Sequence, residues 1–518
     1  MYTVPITPAA ETSGPALLGN KGYQLTKLLS IHAPVPDGFI ITTQAVAEYR
    51  RRHDNPDWYG AFLSDVIDAY RALNPDGPPA IVSVRSSPVK SMPGILKTIP
   101  FLGINLKTLR ESDKTGHYDI MLRSYAEFIA HFDPDGFQAM VRLFRTIYKM
   151  PEHTGFDDRA LNKLLSYYMT DYTSQNKGAS FPQNPELLLI DCIEKVIQSW
   201  DTPLAQKYRK LSRLSETDAG LAIVVQVMKF GEWNTKSGTG IICTRNPVTG
   251  NNTPTGEYLI QTAGDKLVSG KVTPSGLDCL KEQQPENYQR LVNIATQAEK
   301  QAAFPQELEF TIEDGTLFIL QTRDLKMTEN AALTIYHDLA EEGMITKEQA
   351  VQSVNQKLLD DYQLPVIIEP SACIAKGIPA SPGAISGKIT FKPEEKDNCI
   401  LVSPTATPKN ADFLDIVDGI LTTEGGLTCH MASLARHANI PCITGCYGAH
   451  IHDDTLVICG HTFREGDYLT IDGTTGTVYA GQLKTADALH LEDGRTNTFV
   501  PEKIRDLINW RNEIRKSD

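Results

Sequence analysis

The run Glu424-Gly425-Gly426-Leu427-Thr428-Cys429-His430 leads into Met431-Ala432-Ser433-Leu434-Ala435-Arg436, which has a helical composition. Two glycines allow a tight turn, so His430 is expected at a helix N-terminus. Free N–H groups and the helix dipole there favour a dianionic phosphoryl group on the imidazole. A buried, hydrogen-bonded histidine at a helix start is the plainer alternative. Zinc is a third reading, because Cys429, His430, His437, Cys442, Cys446, His450 and His452 fall within 24 residues. Their spacing lacks a C-x-x-C pair, however, and the Val, Ile and Leu around them can build a core without a metal.

A second group of residues suits phosphate. Leu18-Gly19-Asn20-Lys21-Gly22 sets a lysine between glycines, ahead of the apolar positions Leu25, Leu28 and Leu29. Backbone N–H groups and a point-charge amine there could hold phosphate oxygens, and a plain turn is the alternative. Ser83-Val84-Arg85-Ser86-Ser87 reads as a strand end, followed by the turn Ser91-Met92-Pro93-Gly94. Arg85 suits phosphate, or an ordinary surface ion pair. No standard nucleotide motif is complete. Gly264 to Lys271 has one residue too many for a P-loop, and Gly383 to Lys388 one too few. Gly238-Thr239-Gly240 opens a dinucleotide fingerprint in which Cys243 takes the place of the third glycine.

Residues 307–323 read as a hairpin turning at Asp314-Gly315. A two-residue loop would pair Glu313 with Thr316. A three-residue loop with Gly315 left-handed would pair Ile312 with Thr316, and this register is the one expected. It gathers Leu308, Phe310, Ile312, Phe318 and Leu320 on one face, with Glu307, Glu309, Gln321 and Arg323 on the other. Two carboxylates at i and i+2, beside an amide and a guanidinium, form a seat for Mg²⁺ and phosphate. The alternative, a solvated polar face, is opposed by Leu317 and Ile319 on that same side.

These residues need a frame of several domains. At 518 residues and 57.2 kDa the chain has room for about three. Net charge is −13, from 50 Lys+Arg against 63 Asp+Glu, with no basic cluster to suggest nucleic acid. No apolar run is long enough to span a bilayer, and Met1-Tyr2-Thr3-Val4-Pro5 has no leader character. Nine cysteines without a C-x-x-C pair fit a reducing cytoplasm. The composition pattern divides into an α/β region at 1–325 with a helical insertion at about 110–215, then helix at 326–375. Strands, turns and one helix follow at 376–485, and a helical tail at 486–518.

Taken in order, the motifs closely resemble the first two domains of pyruvate phosphate dikinase, a family related to phosphoenolpyruvate synthase and the glucan water dikinases. The matching stretches are Gly19 to Gly22, Val82 to Ser86, Ser91 to Gly94, Ser237 to Gly240 and Thr244 to Pro247. Glu257-Tyr258-Leu259, Glu307 to Arg323, Pro379 to Gly383 and Gly425 to Cys446 complete them. The resemblance implies an ATP-grasp nucleotide-binding domain, a helical linker and a swivelling β/β/α phosphohistidine domain, with ATP and Mg²⁺ as cofactors. Lys21, Arg85 and Arg323 would contact ATP phosphates under the Gly94 loop. Glu307, Glu309 and Gln321 would hold Mg²⁺ and nucleotide, with Glu257 on the adenosine side. His430 would attack the β-phosphorus and release AMP, and the terminal phosphate would pass to Pi or water.

The phosphoryl acceptor stays open as a small molecule or a separate protein, and so does a homodimer. A nucleotide-binding regulatory phosphoprotein is the rival, opposed by the complete set of phosphate-binding residues; a piece of a full dikinase is another. Departures from the family are expected to matter. Its third domain, a barrel for phosphoenolpyruvate and pyruvate, has no counterpart among these residues, so pyruvate is not expected as acceptor for this chain alone. Glu424 and Ser403 replace arginines, Lys97 an aspartate and Cys429 a serine. Two fewer cations near His430 weaken the attraction for an anionic acceptor.

Overall fold

The computed structural model describes residues 2–90, 92, 96, 98–105, 134–149, 157–211, 220–262, 273–360, 365–394, 398–404, 413–452, 454–487 and 502–517. The chain forms two compact units, Met1–Lys229 and Phe230–Asp518.

The first unit is built on an antiparallel sheet of β1 (Thr3–Pro5), β2 (Gly38–Ile41), β3 (Val82–Pro88), β4 (Thr98–Leu102) and β5 (Leu221–Val227). Their spatial order is β1-β2-β5-β3-β4. Phe39, Ile40 and Ile41 of β2 and Ala222, Ile223, Val224 and Val225 of β5 are all buried. Continuous burial along a strand requires cover on both faces, and helices Gly14–Ser30, Thr43–Arg52 and Pro185–Ser199 pack against these strands. The helix Pro185–Ser199 starts where its sequence says it should. Pro185 fits the first turn, and the Asn184 side chain accepts hydrogen bonds from the N–H groups of Glu186 and Leu187.

The second unit contains another antiparallel sheet, with β6 (Gly238–Cys243), β7 (Thr255–Ile260), β8 (Ser275–Gly276), β9 (Gln306–Glu313) and β10 (Thr316–Asp324) ordered β10-β9-β6-β7-β8. The β9–β10 hairpin corrects the expected register. Asp314 and Gly315 both have positive φ, +46° and +79°, so the loop is the two-residue kind and Glu313 pairs with Thr316. That turn matches the twist of the strands it joins. Leu317 and Ile319 consequently lie with Ile312 and Phe310, all fully buried, and not with the carboxylates. A bulge between Ile319 and Gln321 then takes up one residue. It returns Gln321 opposite Glu309 and Arg323 opposite Glu307. The four polar residues share a face, by a route the expected register did not contain.

Helices Glu329–Glu341, Lys347–Ser353, Gln356–Asp360 and Glu502–Ser517 form a small block around Leu333, Val351, Leu359, Leu507 and Trp510. Beyond it, β11 (Pro365–Ile367) pairs antiparallel with β23 (Thr485–Asp487). Between them lies an eight-stranded sheet. Its centre is four parallel strands, β14 (Ala384–Thr390), β15 (Cys399–Ser403), β16 (Gly419–Thr422) and β17 (Cys442–Thr444). Ile400, Val402, Leu421 and Ile443 point to a core shared with the three-stranded sheet of residues 449–464. Their neighbours Leu401, Ile420 and Cys442 point the other way, onto Met431, Ala432 and Ala435 of helix His430–Ala438. This is the β/β/α layering expected.

Arg245, just past β6, is fully buried. Its Nε and Nη2 donate to Glu299 at 2.9 and 2.7 Å, and Nη2 donates to Glu342 at 2.6 Å. One guanidinium thereby ties the sheet to helix Pro285–Ala302 and to the end of helix Glu329–Glu341. Replacing it leaves carboxylates without a cation, which is costly where they are desolvated. Arg245→Met is expected to lower stability in urea denaturation by about 3 kcal/mol; an unchanged midpoint would show that solvent replaces the pairing.

Candidate functional site

In the first unit the Lys21 turn is fixed by close backbone approach. Helix Gly14–Ser30 is kinked at Gly19, where φ is +65°. A Cβ on Gly19 would fall 1.9 Å from the Ser87 carbonyl oxygen, so only glycine fits. The Ser87 hydroxyl donates to Leu18 O at 3.3 Å and accepts from Gly22 N at 3.2 Å. The turn is thus pinned to the end of β3. Arg85 lies two residues earlier, on the same face of β3 as Ser87. Its Nη1 donates to the Gln226 side chain at 3.0 Å. The structure therefore brings the lysine turn and the arginine strand together. Gly94 lies outside the described residues.

In the second unit, pairing across the sheet sets the polar residues in rows. Gln321 lies opposite Glu309, Glu309 opposite Ile241, and Ile241 opposite Glu257. Arg323, Glu307 and Cys243 form the adjacent row. Arg323 donates Nε to Glu307 at 2.9 Å, with Nη2 on the same oxygen. Burial alone would lower the guanidinium pKa, but Glu307 and Glu309 beside it hold it above its ordinary value. Carboxylate and amide oxygens from Glu307, Glu309 and Gln321 are the donor chemistry a hard cation such as Mg²⁺ takes. Of the three, Glu307 is engaged by Arg323.

His430 begins helix His430–Ala438, as expected. The helix follows β16 and precedes β17 in the parallel run, so it starts at the carboxyl ends of the strands, where open α/β sheets form their crevices. Cys429 occupies the N-cap without a side-chain cap bond. Burial raises the thiol pKa of Cys429 and Cys442 and pushes Cys446 up to about 12. Among the described residues no cluster of three or more metal-binding side chains occurs.

The loop before His430 is gripped from two sides. Arg436 Nη1 donates to Leu427 O at 2.9 Å and to Ala380 O at 3.0 Å. The Glu257 carboxylate accepts from Thr428 N–H at 3.2 Å and from the Thr428 hydroxyl. The carbonyl of one peptide and its own N–H are thus held by opposite charges. Gly426 is required beside them, because a Cβ there would fall 2.1 Å from Glu257 Oε1. Glu257, expected on the adenosine side, has its carboxylate on the histidine loop. Arg436 and Thr428 were not singled out from the sequence. The available signal was one arginine in an otherwise small and apolar helical run.

The comparisons now bear on this arrangement. Residues 60–285 match the pyruvate phosphate dikinase AMP/ATP-binding domain, and residues 395–476 match the mobile domain of PEP-utilising enzymes. The chain is 35% identical over 501 residues to pyruvate, phosphate dikinase of Clostridium symbiosum, covering 91% of this chain and 57% of that protein. It is 32% identical over 527 residues to pyruvate, phosphate dikinase 2 of Zea mays, covering 96% and 58%. The chain belongs to the pyruvate phosphate dikinase family. It spans a little over half the length of these dikinases. Among the described residues no helix is long and apolar enough to cross a membrane.

Burial raises the Glu257 pKa, against the Thr428 donors that lower it. A carboxyl group with a raised folded-state pKa contributes stability below its unfolded value, and that contribution is lost as pH rises through the folded value. Glu257→Gln keeps an acceptor for Thr428 and removes the titration. The melting temperature of E257Q relative to the parent should therefore climb as pH rises above the ordinary glutamate range. A flat difference would mean that the carboxylate is solvated.

Proposed function

We propose that the chain is an ATP-dependent dikinase-type phosphotransferase that phosphorylates its own His430. The observation that carries this reading is Glu257. It shares a sheet row with Glu309 and Gln321, and its carboxylate holds the loop leading to His430. This supports reading the proposed metal and phosphate seat and the helix-start histidine as parts of one site in the second unit.

The residues take roles accordingly. Lys21, Arg85 and Arg323 bind ATP phosphates, the Gly94 loop covers them, and Glu309, Gln321 and Glu307 hold Mg²⁺. Bound Mg²⁺ would neutralise charge developing on the phosphoryl oxygens. An imidazole nitrogen of His430 attacks the β-phosphorus, the bond from that phosphorus to the α-bridging oxygen breaks, and AMP leaves. The terminal phosphate of the resulting pyrophosphoryl group then passes to Pi or water. Free N–H groups at the helix start favour the anion that remains.

The proposed organisation is a nucleotide-binding domain at 1–325 with a helical insertion at about 110–215, a helical linker at 326–375, a swivelling phosphohistidine domain at 376–485 and a tail at 486–518. The acceptor differs from that of a dikinase using phosphoenolpyruvate, as supported by Glu424 and Ser403 in place of arginines. Glu424 is exposed, so its charge faces an arriving acceptor. The protein is proposed to be cytoplasmic.

ATP labelled at the β-phosphorus should leave acid-labile, base-stable label on the full chain while AMP accumulates. His430→Asn should take up none. Equal labelling of H430N, or label without AMP, would refute the assignment.

A further inference from the structure

The helical block of the second unit closes on the tail helix Glu502–Ser517. Ile504, Leu507 and Trp510 of the tail are buried in one core with Leu333 and Val351 of the block. Apolar burial of that kind does not depend on protons. Set beside that core is His337, on helix Glu329–Glu341 and only 8% exposed.

Both ring nitrogens of His337 meet a carboxylate. Nδ1 lies 3.0 Å from Asp338 Oδ1, and Nε2 lies 3.3 Å from Asp506 Oδ2 on the tail. Lys503 Nζ, also on the tail, donates to Asp338 Oδ2 at 2.5 Å. Asp338 therefore uses both oxygens as acceptors, as an ionised carboxylate does. The Asp506 side chain is half exposed to solvent. A neutral imidazole has one N–H, and its other nitrogen would turn a lone pair toward a carboxylate. Only the imidazolium donates from both nitrogens. The ring also stacks on the Trp510 indole, with centroids 5.1 Å apart and planes 3° from parallel. A cation over an indole face is favoured. The third helix at this junction brings Lys347, 4.6 Å from the Trp510 ring and 3.9 Å from Glu341. Arg511 is buried on the neighbouring stripe of the tail.

We infer that the tail is fastened to the block by a proton-dependent clamp, in which the imidazolium of His337 bridges Asp338 of the block and Asp506 of the tail. Gaining the proton tightens the tail. Losing it turns one ring nitrogen against a carboxylate and loosens the tail. By linkage, the contribution is present at mildly acid pH and is lost as pH rises through the range in which imidazoles titrate. The chain leaves the block after helix Gln356–Asp360 for the eight-stranded sheet and rejoins it through the tail. The clamp therefore acts on one of the two connections of residues 368–484 to the block. It does not rest on the proposed phosphotransfer.

Hydrogen exchange of the full chain, read by mass spectrometry on peptides covering 502–517, tests the clamp. Rates at about pH 6 and about pH 8 are corrected for intrinsic exchange, with peptides from β6 and β9 as internal reference. Protection of the tail in the parent should fall by about tenfold across that step. His337→Gln, which has no titrating ring, should show low protection at both pH values. Asp506→Asn should remove most of the step, because the second ring nitrogen then faces an amide able to donate to it. Equal protection of the parent tail at the two pH values overturns the inference. An unchanged step in H337Q also overturns it, as does an unchanged step in D506N should H337Q fail to fold.

Discussion

A single peptide unit, Leu427–Thr428, organises the histidine site. A guanidinium holds its carbonyl and a carboxylate holds its N–H, so its orientation is determined from both ends. The two grips differ in origin. Arg436 belongs to the helix that His430 begins, whereas Glu257 belongs to β7 in the other sheet. Under the proposed swivelling, the first would travel with the loop and the second would be the contact made and released. Gly426 is what makes that contact close enough to matter, because any side chain there would displace the carboxylate.

Much of this was legible from local sequence. The glycine pair, the helix start at His430 and the lysine turn are all short-range features, and each follows from backbone freedom or capping within a few residues. The hairpin was half legible. Asp314-Gly315 gave away the turn, but the expected register failed because alternation alone was asked to choose the loop length. The chain instead uses the favoured two-residue turn and inserts a bulge at Leu320. A bulge has little local signature, since it changes which residues face each other without changing which residues are present. The Glu257 contact had no local signature at all. Its partner is 171 positions away, and a buried carboxylate reads in sequence like any surface glutamate.

The pairing of β11 with β23 has a consequence for how the chain is put together. The strand leading into the eight-stranded sheet and the strand leading out of it run side by side, Val366 opposite Ala486, about one strand spacing apart. Helix Glu502–Ser517 then returns to the same helical block that the chain had left. Both ends of residues 368–484 therefore meet at one seam, close enough for a two-residue turn to span. The segment is a cassette: cut out at that seam, it would leave a closed helical block behind, and it could be set into any other pair of adjacent antiparallel strands without moving its own ends.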